Sequence, residues 1–509
     1  MNDRHGPPSR RPRYSPALLH IRLSSMASSS ARIPGSGVLL LIILACQLMI
    51  VLDVTVLYTA LPHIQKALDL SLPDLTWVQN AYTLTFGGMM LLGARSGDLL
   101  GRRRVFIVAV TVFTLASLLG GLAQSAHELL IARGVQGIAA AFLAPSTLAL
   151  MMTHFAAGPQ RLRAISFYTA VSGGGGAVGL VLGGVLTDML SWRWVMFINL
   201  PVGIGLFLLA WRYLKETERH TGHFDLSGAL TVTLGMSALV YCFVRAGAQG
   251  WDDAPTLIAL ACALVLLTLF VWIERRAEQP IMPLHLFASA ERSGAYIGRM
   301  LLVGGMVGTY FFLIQYVQEV LGYSALKAGE AFLALTITQF AMSMYGVKWL
   351  ARHISASTML FFGLGTALVG MLMLTGLGSE VDYFPRLMLP LIILGIGCGA
   401  AFVPLTSAGI AGVEPQNAGA ASGLVNVAHQ VGGSLGTAVI IAIVGMAARL
   451  SPQPLAAGAD AQARQALSQA LSVGATSSAA FFALALLVLF FTSRHTRRRE
   501  RLQAADAAS

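Results

Sequence analysis

Fourteen apolar segments, each about 20 residues long, follow one another from Val38 to Thr492, and no other feature restricts the fold so tightly. They fall at 38–60, 75–94, 105–124, 128–152, 164–187, 194–213, 226–245, 255–273, 294–317, 327–348, 357–377, 385–411, 418–447 and 474–492. A backbone exposed to lipid must satisfy its own hydrogen bonds, so continuous runs of this length cross as helices. They exclude the alternating ten-residue strands of a membrane barrel. The expected fold class is an all-α membrane protein with 14 transmembrane helices.

Composition agrees. Of 509 residues, 56% are hydrophobic and 11% charged, whereas a soluble domain carries about 25% charged residues. Fourteen crossings use about 280 positions, which leaves loops and two tails but no room for an appended catalytic domain. The 34 Lys and Arg exceed the 23 Asp and Glu, giving a net charge of +11. With the N-terminus inside, about 25 basic residues fall in inner loops and tails and about 7 in outer loops, so the excess is a topology signal. Nucleic-acid binding by Arg497-Arg498-Arg499 has no aromatic interleaving or folded module to support it. Cys46, Cys242, Cys262 and Cys398 each stand alone in apolar runs, as small buried hydrophobes do, so neither a metal nor a disulfide is expected.

The even number of spans puts both termini on the cytoplasmic side. Residues 1–37 read as a disordered basic tail and 493–509 as a second basic tail. Nothing in the first 25 residues is needed for folding, so Met26 is an alternative start. The Ala/Gln-rich stretch 448–473 reads as a flexible outer connector, with a short surface helix around Asp460 to Leu471.

An ionisable group at bilayer depth is a functional candidate because it costs about 3 kcal/mol to place there. Asp53 lies about 15 residues beyond the inner end of span one, or about 22 Å along the helix. Arg133 lies about 5 residues, or about 8 Å, from the outer end of span four. The two therefore reach similar depth. Sharing a cavity, each would stabilise the other's charged form until something separates them, which is what a proton-coupled carrier requires of its carboxylate. The alternative is an Asp reaching water at a helix end and an Arg stitching helices together. In span five, Gly175, Gly179 and Gly183 fall on one helical stripe, with Ser172, Gly176 and Gly184 beside it, a spacing that lets helices approach closely. No Lys-Ser/Thr follows these glycines and no strand precedes them, so they are not a phosphate cradle. Without an ATP site, a pump must draw on an ion gradient.

Between spans two and three, Gly93-Ala94-Arg95-Ser96-Gly97-Asp98-Leu99-Leu100-Gly101-Arg102-Arg103-Arg104 combines turn-forming glycines with cations suited to the inner headgroups. This loop resembles the major facilitator superfamily signature G-x-L-a-D-r-x-G-r-r, matching at Asp98, Gly101, Arg102 and Arg103. Leu52-Asp53-Val54-Thr55-Val56-Leu57-Tyr58-Thr59-Ala60-Leu61-Pro62 is similar to the first-span motif of that superfamily's 14-span drug:proton antiporter branch, with Tyr58 for Asn. Ile131-Ala132-Arg133-Gly134-Val135-Gln136-Gly137 resembles the fourth-span motif R-x-x-Q-G. Gly179, Gly183 and Gly184 match the antiporter motif G-P-x-x-G-G, with Leu180 for Pro. Trp192-Arg193-Trp194, followed by Ile198-Asn199-Leu200-Pro201-Val202-Gly203, is close to the branch's motif after span five.

The resemblance implies two six-helix bundles, 38–214 and 294–492, joined by two inserted helices within 215–293. It implies an exporter of small hydrophobic or amphipathic compounds, drugs or antibiotics, working by alternating access in a bacterial cytoplasmic membrane. A proton gradient is the energy source; no cofactor, ATP or metal is needed, and the protein is expected to be a monomer in the lipid bilayer. Asp53 and Arg133 would handle the proton, while Gln136, Asn426, His429 and Gln430 offer polar contacts along the pathway. Two alternatives are an uptake carrier of the same fold and, more distantly, a membrane-embedded enzyme or receptor, for which no convergent catalytic set is found.

Overall fold

Helix boundaries follow local chemistry. The computed structural model describes residues 36–155, 159–216, 225–278, 280–378, 381–413, 418–450 and 459–506. The N-terminal tail through residue 35, with Met26, lies outside them. The spans are α1 (Ser36–Ala67), α2 (Leu72–Leu100), α3 (Arg102–Leu122), α4 (Ala126–His154), α5 (Pro159–Met189) and α6 (Asn199–Tyr213). They continue as α7 (Leu226–Gln249), α8 (Ala254–Arg276) and α9 (Ala290–Gln315). After the interrupted α10, described below, come α11 (Ala356–Met373), α12 (Met388–Ile410), α13 (Ala418–Leu450) and α14 (Ala459–Asp506). Ser71, Ser125, Asp225, Asp253, Ser289, Ser324 and Ser355 each accept a backbone N–H from the first turn that follows. These caps start half of the spans by satisfying N–H groups that have no partner within the helix.

Among the described residues, twelve helices are long and apolar enough to cross a membrane on their own. The remaining two crossings are α2, which carries Gln79, Asn80, Thr83 and Arg95, and α10. Helix α10 is built of pieces, Ala325–Ala331, Leu333–Ala341, a wider π-turn at Met342–Gly346, and Val347–Leu350. The sequence pattern makes it one uninterrupted span over 327–348. The structure corrects that reading, because Phe332 and the π-turn break the regular hydrogen-bond ladder.

A second correction concerns 448–473. Helix α13 runs to Leu450 and α14 begins at Ala459, so the short helix expected around Asp460 to Leu471 is present, but as the first turns of the last span and not as a surface element of a flexible connector. Residues 451–458 lie outside the described residues. Leu467, Leu471 and Ala475 recur at helical spacing and pack into the core, with Leu471 fully buried. Ser468 donates to Leu377 O at 2.7 Å. The low charge of the helical part of this stretch reflects packing.

Helices α1 to α6 pack among themselves, as do α9 to α14. The inserted helices pack on each other, and α7 also lies against α2 and α13, one from each bundle. Thr233 of α7 fills the space over Gly88 of α2, and Arg449 of α13 donates to Gly247 O of α7 at 3.0 Å. With alternating directions and an even number of spans, the start of α1 and the end of α14 lie at one membrane face, here the termini face. At the opposite face the bundles are tied by Lys66 to Glu319 (2.8 Å) and by Gln318 donating to Thr59 O (3.0 Å). Asp188 also accepts from the N–H groups of Ala325 (3.0 Å) and Leu326 (2.8 Å), capping α10 from across the seam.

Candidate functional site

Asp53 of α1 is fully buried and sits inside the N-terminal bundle. Arg133 of α4 donates from Nη1 to Asp53 Oδ2 at 2.6 Å, and both side chains have 0% exposure. Gln136 lies three residues after Arg133 and therefore on the same helix face. Its Nε2 donates to Asp53 Oδ1 at 3.0 Å, and its Oε1 accepts from Arg133 at 3.0 Å. The structure thus brings together the three N-terminal residues that the sequence singles out.

Two further partners were not assigned from sequence. Asn199, at the start of α6, donates to Asp53 Oδ1 at 2.8 Å. Ser117 of α3 accepts from Gln136 (3.0 Å) and Asn199 (2.9 Å) and donates to Met196 O (2.8 Å). Asn199 stands inside a quoted motif and Ser117 is a hydroxyl in an apolar run, so each left a signal, but neither spacing reveals the shared partner. Arg133 is held from two more sides. Its Nε donates to Val78 O of α2 at 3.1 Å, and its guanidinium lies 4.5 Å from the centre of the Tyr82 ring, a favourable cation–π distance. Nη2 of Arg133 is buried without a partner.

The carboxylate therefore accepts three hydrogen bonds from three donors on two helices. The carboxylate is paired and hydrogen-bonded on both oxygens, which is the condition under which a buried ion pair is tolerated. A proton can reach Asp53 only if helices that now enclose it move.

Asn426, His429 and Gln430 lie on α13, in the other bundle, and among the described residues none bonds to the Asp53 cluster. Asn426 donates to Ser422 O at 3.2 Å. Gln430 packs over Gly87 of α2, and one turn away Thr83 of α2 meets Ser434 of α13 by a short hydrogen bond. His429 lies beside Phe402 of α12 at a ring separation of 6.1 Å, with its Nδ1 unpartnered. The expected polar set is thus divided into an enclosed cluster in one bundle and a stripe along the seam between bundles.

The glycines of α5 serve two contacts. A Cβ on Gly175 would meet Val51 at 3.0 Å, and one on Gly179 or Gly183 would collide with Thr55 or Val56 of α1. Gly184 faces the other way, where a Cβ would lie 2.5 Å from Leu326 Cα of α10. One small-residue segment therefore holds α5 against its own bundle and against the other.

At the termini face, Gly101 between α2 and α3 adopts φ +97°. Arg102 donates to Ala149 O of α4 at 3.0 Å, and Arg103 donates to Trp211 O of α6 at 2.9 Å. The side chain of Asp98 lies outside the described residues. Glu216, which the sequence did not single out, accepts the Arg103 N–H at 3.1 Å and lies 3.7 Å from Arg104 Nε. Gly101→Ala forces a side chain into a backbone conformation open mainly to glycine, with Glu216 in the way. It is expected to cost about 1–3 kcal/mol, read as a lower thermal unfolding midpoint of the purified protein.

The sequence model described as Major Facilitator Superfamily matches residues 43–437. The cephamycin export protein of Amycolatopsis lactamdurans is 38% identical over 421 residues, 82% of this chain and 87% of that protein. The puromycin resistance protein of Streptomyces alboniger is 41% identical over 407 residues, 79% of this chain and 80% of its own length. Among solved structures, an inward-facing, unoccupied bacterial homologue of the human lysosomal transporter Spinster aligns with a TM-score of 0.61 and 15% identity, covering 91% of this chain and 98% of that one. With a family match across most of the chain, close relatives along the same length and the same helical architecture, this chain belongs to the major facilitator superfamily.

Proposed function

We propose that this protein is a secondary active exporter that couples inward movement of a proton to outward movement of a small hydrophobic or amphipathic organic compound. The observation that carries the reading is the enclosed ion pair of Asp53 and Arg133, a carboxylate at bilayer depth held by one cation. While the pair is intact, Arg133 balances the charge of the carboxylate. Helix movement that withdraws Arg133 or Gln136 leaves the carboxylate buried and alone, and proton uptake at that moment is the coupling step of this reading. Relatives named for antibiotic export and resistance support both the direction and the substrate class. The ties at the opposite face fit one end of a rocking cycle, with the termini in the cytoplasm of a bacterium and the bilayer as the only other partner. Neither ATP nor a cofactor enters this scheme.

A drug-susceptibility panel in a host stripped of its own pumps identifies a protected compound. Sealed vesicles carrying that compound then receive an imposed pH difference. Accumulation that follows the difference in sign and size is the expected result, and accumulation indifferent to it overturns proton coupling. Uptake of the compound by energised cells would instead support the uptake carrier.

A further inference from the structure

Arg299 of α9 is the counterpart that the N-terminal cluster makes conspicuous. It is a second membrane-embedded guanidinium, yet among the described residues it has no carboxylate partner. Its Nη1 donates to Phe402 O (3.3 Å) and Thr406 Oγ1 (3.1 Å) of α12, and its Cζ stands 4.5 Å from the centre of the Phe402 ring. Its Nε is buried and unpartnered. The same ring also neighbours His429 of α13, whose buried Nδ1 has no partner among the described residues. An embedded cation without a counter-charge is unfavourable by several kcal/mol. Arg133 escapes that cost through Asp53; nothing comparable is supplied to Arg299.

The surroundings are open on one side. Thr406, Ser407 and Ser422 are exposed although they lie within the spans, and Asn426 is half-buried. These side chains face accessible space, and Thr406 borders it together with Arg299. Ser422, Asn426 and His429 form one stripe of α13, adjacent to the stripe of Gly423 and Gln430 that meets α2. The space therefore borders the seam between bundles. Counted from the helix ends at the termini face, Arg299, Phe402 and His429 lie about 12–16 Å deep, and Asp53 about 25 Å deep.

We propose that Arg299, with Thr406 and His429 beside it, binds the carboxylate or similar anionic group of an amphipathic substrate entering from the termini face. The ring of Phe402 offers an apolar surface next to the charge. This rests on the exporter reading and narrows its substrate class to compounds carrying an acidic group. The depth favours a soluble amphipath over a lipid, whose headgroup stays near the membrane surface.

The test uses the full chain in nanodiscs with no pH difference and two probes of nearly equal size, dansylglycine and its neutral amide. Wild type is expected to bind the carboxylate about tenfold tighter, with the preference lost in Arg299→Gln and retained in Arg299→Lys. Equal affinity for both probes, binding of neither, or a preference that survives Arg299→Gln overturns the proposal. Exchanging phosphatidylcholine nanodiscs for ones containing phosphatidylglycerol separates the two sources of anion. Loss of the preference there assigns the site to lipid headgroups and also overturns it. Because binding is measured at equilibrium, failure here leaves proton-driven export standing, and failure of proton coupling leaves this preference measurable.

Discussion

Asp53→Asn is expected to abolish transport driven by a pH difference while leaving a folded, membrane-inserted protein. The amide keeps the size of the carboxyl group and can still accept through Oδ1 from Gln136 and Asn199, but it has no proton to exchange. Its second cost falls on Arg133, which becomes a buried cation without a counter-charge in a site with 0% exposure. Breaking one side of such a pair costs about 3–5 kcal/mol, so the unfolding midpoint in detergent should fall as well. The double variant Asp53→Asn/Arg133→Gln removes both charges. It should recover most of the stability and none of the pH-driven transport, which separates the folding role of the pair from its proton role. Transport by Asp53→Asn equal to wild type, at matched expression, would remove this carboxylate from the mechanism.

The second large effect is expected at the opposite face. Lys66 and Glu319 join the bundles across 2.8 Å, yet both side chains reach water, at 70% and 33% exposure. A pair so exposed contributes little, so Lys66→Cys and Glu319→Cys alone should leave transport near wild type. Both together, in a chain from which Cys46, Cys242, Cys262 and Cys398 have been removed, can be bridged by a short reducible bifunctional thiol reagent. The bridge should stop transport and reduction should restore it, because the bundles must part here if the cycle opens toward this face. Undiminished transport in the bridged protein would show that this face does not open.

Much of the architecture is legible in the sequence because membrane spans are set by local rules. Apolar length, Ser and Asp caps and the bias of Lys and Arg act within one segment or its ends, so the number of spans and the bounds of most need no partner. The exceptions are instructive. Helix α10 is broken by its own hydrogen-bond register, and the first turns of α14 look like a separate surface helix because their buried face of Leu467 and Leu471 is interleaved with polar residues. At the site, depth counted along two antiparallel helices suffices to put Asp53 and Arg133 at one level, since the rise per residue is nearly fixed; their contact is a matter of packing.

The sequence by itself determined the helical membrane class, the course of the spans and which embedded charges needed an explanation. Only the tertiary structure decided that Asn199 and Ser117 complete the Asp53 cluster, that Asn426, His429 and Gln430 stand apart from it, and that Arg299 has a ring and two oxygens for company but, among the described residues, no carboxylate. The division has a physical reason. Burial in lipid is a property of each segment and is written along the chain, whereas the azimuth of a side chain about its helix axis gains meaning only when the neighbouring helix is in place.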